Sequence, residues 1–233
     1  MYIRIPEGLG QPPLRRVAAP PAPLTQKQLK HVQDALADAF KVIKHKILKP
    51  LEEILSGRVP PRGSRLDCAL MANFNLSQGD SNYRTLVGEI LRRFGVIHVL
   101  YEQRADIRIS PTLDPDCGNY KAYVRKVTDQ ITGKTISTIH ACNGFFTLKT
   151  PLEQTATIIH ELMHAYVGAG MVRLPAVIDV DYYAGPYTAG CKPNQKWTLP
   201  TSQLISNGQS YEEFVLNLIK GSKHDETFEV KGK

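Results

Sequence analysis

TIIHELMHAYVG, Thr157 to Gly168, places two histidines four residues apart with a glutamate directly after the first. On a helix, residues four apart lie on one face about one turn from each other, so His160 and His164 can present imidazole nitrogens to a single ion. Glu161 is rotated about 100° from His160, which is too far for a natural third ligand but suits a group that holds a water at that ion. A zinc ion in such a place lowers the pKa of its water to about 7 and polarises a carbonyl, while Glu161 takes the water proton and passes it to the leaving amine. An ordinary helix with otherwise satisfied histidines is the competing explanation. Ile158, Ile159, Leu162 and Met163 weigh against it, since they surround the polar triplet with apolar side chains and bury the helix on most sides. Two buried histidines and a carboxylate need strong polar compensation, and a metal supplies it.

The limits of this helix are written in its flanks. Thr150, Pro151 and Glu153 supply an N-cap, a proline at the first helical position and a capping-box acid, so the helix should start at Pro151. Gly168 and Gly170 are natural terminators. A catalytic zinc commonly takes three protein ligands and keeps one position open, and several later residues are candidates for the third. Asp179 and Asp181 lie in VIDVDYYAGPY directly after the helix, Glu212 and Glu213 in SYEEFVLNLI, and His224 in the polar tail.

Outward from this centre, residues 1–24 are rich in Pro, Gly, Ala and Arg and read as a flexible leader. Thr25 looks like a helix cap, followed by Leu29, Val32, Leu36, Phe40 and Ile43 at helical spacing and by a second short helix from Pro50 to Leu55. SGRVPPRGS, Ser56 to Ser64, is a loop, and a further helix fits Tyr83 to Phe94 with Gly95 as its stop. VIHVLYE, ADIRIS, KAYVRKV and TISTIHA are β-branched and read as strands, with a hairpin turn at Thr132 to Lys134. Tyr211 to Ile219 forms a last amphipathic helix in which Tyr211 and Phe214 are core residues. Residues 221–233 are a polar tail.

At 233 residues the chain is long enough to bury a real core, and 42% hydrophobic with 22% charged residues is ordinary for a globular protein. The net charge of +7 is spread along the chain without interleaved aromatics, so solvated helix faces explain it and no specific nucleic-acid partner is expected. No apolar run approaches the ~20 residues that span a bilayer, and the N-terminal stretch lacks the apolar segment of a secretory signal. Cys68, Cys117, Cys142 and Cys191 form no C-x-x-C pair, and four scattered cysteines read as buried apolar residues.

The run from Cys117 to Leu218 resembles the aspzincins, the deuterolysin and peptidyl-Lys metalloendopeptidase family of zinc proteases. CGNYKAYV at Cys117, HACNGFF at His140, HELMH at His160, DYYAG at Asp181 and NGQSYEEF at Asn207 follow the order of that family's elements. The resemblance implies an α+β, zincin-like metalloendopeptidase with one Zn²⁺ per chain, a protein or peptide substrate, and Asp181 as third ligand beside His160 and His164. It also puts the family's second loop tyrosine, which helps stabilise the oxyanion, at Ala184. That leaves Tyr183 or Tyr187 for the role, or a shifted register in which Asp179 is the ligand and Tyr182 follows it. Finally, it implies a bridge between Cys117 and Cys142, hence an oxidising destination and export as an effector or toxin by a route without a visible signal. A zincin with a glutamate ligand from the last helix and a non-catalytic zinc-binding module are the alternatives. The expected organisation is a leader (1–24), a single catalytic domain (25–220) with a helical N-terminal part, a small sheet and the HELMH helix, and the tail; a monomer is favoured.

Overall fold

A computed structural model of the chain describes residues 21–102, 107–114, 117, 120–128, 131, 135–166, 177, 191 and 199–220. A short strand β1 (Ala22–Pro23) leads into α1 (Gln26–Val42), whose start is set by a reciprocal cap. The Gln28 amide donates to Thr25 Oγ1 at 3.2 Å, and the Thr25 amide donates to Gln28 Oε1 at 2.9 Å. Val32, Ala35, Ala39 and Phe40 bury one face of this helix. The second helix α2 (Lys49–Leu55) is not separate from the first, because a π-helical stretch, Ile43–Leu48, joins them without a break. Pro50 has no N–H for the carbonyl four residues back and would crowd it, so a widened turn just before it relieves both problems while keeping Ile43, Ile47 and Leu48 in the core.

The Ser56–Ser64 loop is followed by α3 (Arg65–Phe74), capped by Ser64 Oγ on the Asp67 amide at 3.4 Å. Next comes α4 (Tyr83–Glu102), which corrects the strand expected at VIHVLYE and the stop expected at Gly95. Val87, Ile90, Phe94, Ile97 and Leu100 are all buried at intervals of three and four, so burying that stripe outweighs the β-preference of the valines and isoleucine. Gly95 has open space where a Cβ would stand and serves as an ordinary helical residue.

The strands are β2 (Ile107–Ile109), β3 (Thr112–Leu113), β4 (Ala122–Thr128) and β5 (Thr135–Ala141). KAYVRKV and TISTIHA pair antiparallel as expected, in register from Ala122 opposite Ala141 to Thr128 opposite Thr135. The expected turn at Thr132 to Lys134 lies outside the described residues. β2 adds to the other side of β5 in parallel, giving the order β2-β5-β4, while β1 and β3 form a separate antiparallel pair. On the solvent side the cross-strand partners Tyr123 and His140 stack with centroids 4.6 Å apart, which helps to fix the register. On the other side Ile139 and Ala141 are fully buried.

After the short α5 (Asn143–Phe146) comes α6 (Pro151–Tyr166), the helix of the opening stretch. Its cap is the one expected: the Glu153 amide donates to Thr150 Oγ1 at 3.2 Å and the Thr150 amide to Glu153 Oε2 at 3.1 Å. Gly168 and Gly170 lie outside the described residues. α7 (Thr201–Leu204) and α8 (Gly208–Lys220) complete the architecture, which is a mixed α+β arrangement. α6 is its centre, packing against α1, α4, α8 and β4. Phe74, Phe94, Tyr211 and Phe214 form an aromatic cluster with centroids from 5.2 to 6.0 Å apart, and the buried Tyr211 hydroxyl donates to the Ile205 carbonyl at 2.7 Å. Both residues expected in the core on the last helix are therefore there.

Two disulfides cross the fold. Cys117–Cys142 joins the approach to β4 to the end of β5, with Cα atoms 5.7 Å apart, and is the bridge the resemblance implied. Cys68–Cys191, with Cα atoms 4.3 Å apart, corrects the reading of these two cysteines as merely apolar filling. Both are buried, but they meet from positions 123 residues apart, a proximity that only the folded chain creates. Among the described residues no helix is long and apolar enough to cross a membrane.

Candidate metal centre

His160, Glu161 and His164 sit in the last two turns of α6, whose Ala156, Ile158, Ile159, Leu162 and Met163 are completely buried. The apolar flanks thus do what their pattern predicts for Glu161, which they bury, while His160 and His164 are partly buried. Glu161 is itself 5% exposed.

The two imidazoles converge. Nε2 of His160 stands 3.1 Å from Nε2 of His164, with the rings inclined at 66°. The opposite nitrogen of each ring faces an acceptor. His164 Nδ1 is 3.2 Å from the backbone carbonyl of Val177, and because a carbonyl only accepts, Nδ1 carries the proton and Nε2 keeps its lone pair. His160 Nδ1 is 3.5 Å from Oε2 of Glu212 on α8.

Glu212 is in turn held by two donors on its other oxygen. Lys121 Nζ, just before β4, donates to Oε1 at 2.8 Å, and Thr157 Oγ1, one turn before His160 on α6, donates to it at 3.0 Å. The Glu212 side chain is 5% exposed and its Lys121 partner 44%. The two Nε2 atoms stand at hydrogen-bond distance, 3.1 Å, so they share either one proton or one ion between them. Two nitrogens bound tetrahedrally to one zinc at 2.0–2.1 Å stand about 3.3 Å apart. The donor set and its spacing fit such an ion.

Of the other candidate ligands, Glu213 lies on α8 next to Glu212, largely buried, with Gln209 Nε2 donating to its Oε1 at 3.3 Å. Burial and then the neighbouring Glu212 charge push its carboxyl up to about 7. Asp179, Asp181, Tyr182, Tyr183, Ala184, Tyr187 and His224 lie outside the described residues. Among the described residues no group of three His, Cys, Asp or Glu side chains forms an ion-binding set.

Three participants escaped sequence reading. Thr157 carried a signal, since it lies three residues before His160 and therefore on the same helix face. Lys121 and the Val177 carbonyl carried none, because each reaches the histidines only through tertiary structure.

Compared with protein-family models and with curated proteins, the chain matches none. Among solved structures it is similar to a zinc peptidase from Grifola frondosa, with 14% identity over 83% of this chain and 97% of that one and a TM-score of 0.49. The chemistry of the site rests on its own residues.

Proposed function

We propose that the chain is a zinc-dependent metalloendopeptidase of zincin-like fold, in which His160 and His164 hold the ion and Glu161 is the general base. The observation that carries this reading is the convergence of two Nε2 atoms to 3.1 Å, inside a buried helix, with both Nδ1 atoms facing acceptors. Asp181 is the third ligand in this proposal. Zn²⁺ held there supplies Lewis acidity towards a peptide carbonyl and brings the pKa of water to about 7.

The chain's own groups do the rest. His164 is held in one tautomer by the Val177 carbonyl, so its Nε2 already offers a lone pair before any ion arrives. Glu161 takes a proton from the attacking water on a carboxylate oxygen and returns it to the leaving amine. Its buried surroundings keep bulk water from competing for that proton. The two disulfides support action in an oxidising compartment, in line with an exported effector or toxin.

The test is Glu161→Gln against the parent. The parent should carry about one zinc per chain and cleave an unfolded protein substrate. The variant should keep the zinc and lose activity by about 10²- to 10⁴-fold, the usual contribution of a general base. Undiminished proteolysis by a contamination-free variant would overturn the mechanism, and a parent that binds no zinc would overturn the reading as a whole.

A further inference from the structure

We propose that Glu212 is the positioning residue of His160, acting from α8 on Nδ1 while the ion occupies Nε2, and is not itself a ligand. This rests on the proposed metal reading and deepens it.

The argument begins with the two edges of the imidazole. Nδ1 and Nε2 direct their bonds to opposite sides of the ring, so a carboxylate beside one is turned away from whatever binds the other. Glu212 Oε2 lies 3.5 Å from Nδ1, within ion-pair range but short of a hydrogen bond in the metal-free chain, and it is the acceptor that Nδ1 faces. Its orientation is set by other groups. Lys121 Nζ and Thr157 Oγ1 both donate to Oε1, at 2.8 and 3.0 Å, which leaves Oε2 for the histidine. Swinging Glu212 to the Nε2 side would break both of these bonds at a side chain only 5% exposed. A carboxylate at Nδ1 holds the proton there, keeps the Nε2 lone pair available and raises the basicity of the ring.

The two histidines are consequently unequal, since His164 leans on a neutral carbonyl and His160 on an anion. Lys121 keeps that anion from being an uncompensated buried charge. Its own place is fixed by the backbone. The Cys142 amide donates to the Lys121 carbonyl at 2.9 Å, next to the Cys117–Cys142 bridge.

Two measurements test the proposal. Zinc affinity, read by competition with a chromophoric chelator, should fall about 10- to 100-fold in Glu212→Ala and less in the isosteric Glu212→Gln, with one zinc per chain retained in both. The absorption bands of the cobalt-substituted protein should keep their positions, because the ligand set is unchanged. Stoichiometric metal lost to the extent seen in His160→Ala, or cobalt bands that move, would make Glu212 a ligand and overturn the proposal. An affinity within twofold of the parent in both variants would overturn it as well.

Nitrogen-resolved NMR of the metal-free protein reads the tautomer directly. His160 should carry its proton on Nδ1 in the parent and lose that preference in Glu212→Ala. A proton on Nε2 in the parent refutes the proposal whether or not the protein binds zinc. A parent that binds no added zinc yet shows the Nδ1 tautomer would overturn the peptidase reading and leave the role of Glu212 at His160 standing. Should Glu212→Ala fail to fold, Glu212→Gln alone decides by the same two readouts.

Discussion

Replacing Glu213 by glutamine should stabilise the metal-free protein, and by an amount that grows with pH. Glu213 sits on α8 with only 9% of its surface exposed. Burial, reinforced by the charge of Glu212 and only partly offset by Lys121, Gln209 and Lys220, raises its carboxyl from 4.5 to about 7. The folded chain therefore holds this proton more tightly than the unfolded chain. Below the unfolded value both states are protonated and the group is neutral in the balance. As pH rises from there to about 7 the unfolded state ionises first, and folding loses stability with each step. Above about 7 the penalty is complete, on the order of 3 kcal/mol by the usual conversion of 1.36 kcal/mol per pKa unit. Glutamine keeps the shape and the neighbouring Gln209 contact but cannot ionise. Urea unfolding of both proteins with disulfides intact, in chelator, from pH 4.5 to 8, should give nearly coincident stabilities at the acid end. At pH 8 a gap of about 3 kcal/mol should favour the variant. A gap that stays constant with pH, or a variant weaker than the parent at pH 8, refutes the reasoning.

Gly144→Ala should destabilise the fold by about 1–3 kcal/mol, the usual range for overpacking, because the added Cβ would stand 2.9 Å from the Tyr120 carbonyl oxygen, a backbone atom held close to the Cys117–Cys142 bridge. Its thermal midpoint should fall accordingly, and an unchanged midpoint would show that the approach of α5 to this segment is not tight. Cys68→Ser with Cys191→Ser opens a loop of sequence separation 123. Chain entropy sets the loss at about 5 kcal/mol, and non-reduced peptide mapping of the parent should recover both bridges. Free thiols at these positions in protein from an oxidising preparation would contradict the pairing.

What could be read from the chain was what is encoded locally. The start of α6 is spelled by Thr150, Pro151 and Glu153, and the cap bonds are present. His160 and His164 converge because a helix brings positions four apart together, whatever else the fold does. The far half of α4 is not legible as helix, because Val96, Ile97 and Val99 favour strands as single residues. Ile97 and Leu100 instead continue the buried stripe of Ile90 and Phe94, and that packing decides the matter. α3 escaped notice although Ser64 and Asp67 spell its cap. The remaining features are products of distance along the chain. Glu212 meets Thr157 across 55 residues and Lys121 across 91, and no pattern within either segment announces the meeting. Glu212 and Glu213 looked equivalent in SYEEF, yet one turns to a histidine and the other to its own helix through Gln209.

The dependence of His160 on α8 also bears on when the centre comes into being. Chains emerge from the ribosome N-terminus first, at about 5–20 residues per second. The HELMH helix is therefore made well before Gly208–Lys220 exists. Until that last helix docks on α6, the carboxylate facing His160 is missing and the aromatic cluster of Phe74, Phe94, Tyr211 and Phe214 is half built. Between the synthesis of His164 and that of Glu212, 48 residues and about 2–10 s, a nascent chain has these two histidines without that support. His160 meets the Glu212 carboxylate only once Gly208–Lys220 has docked on α6.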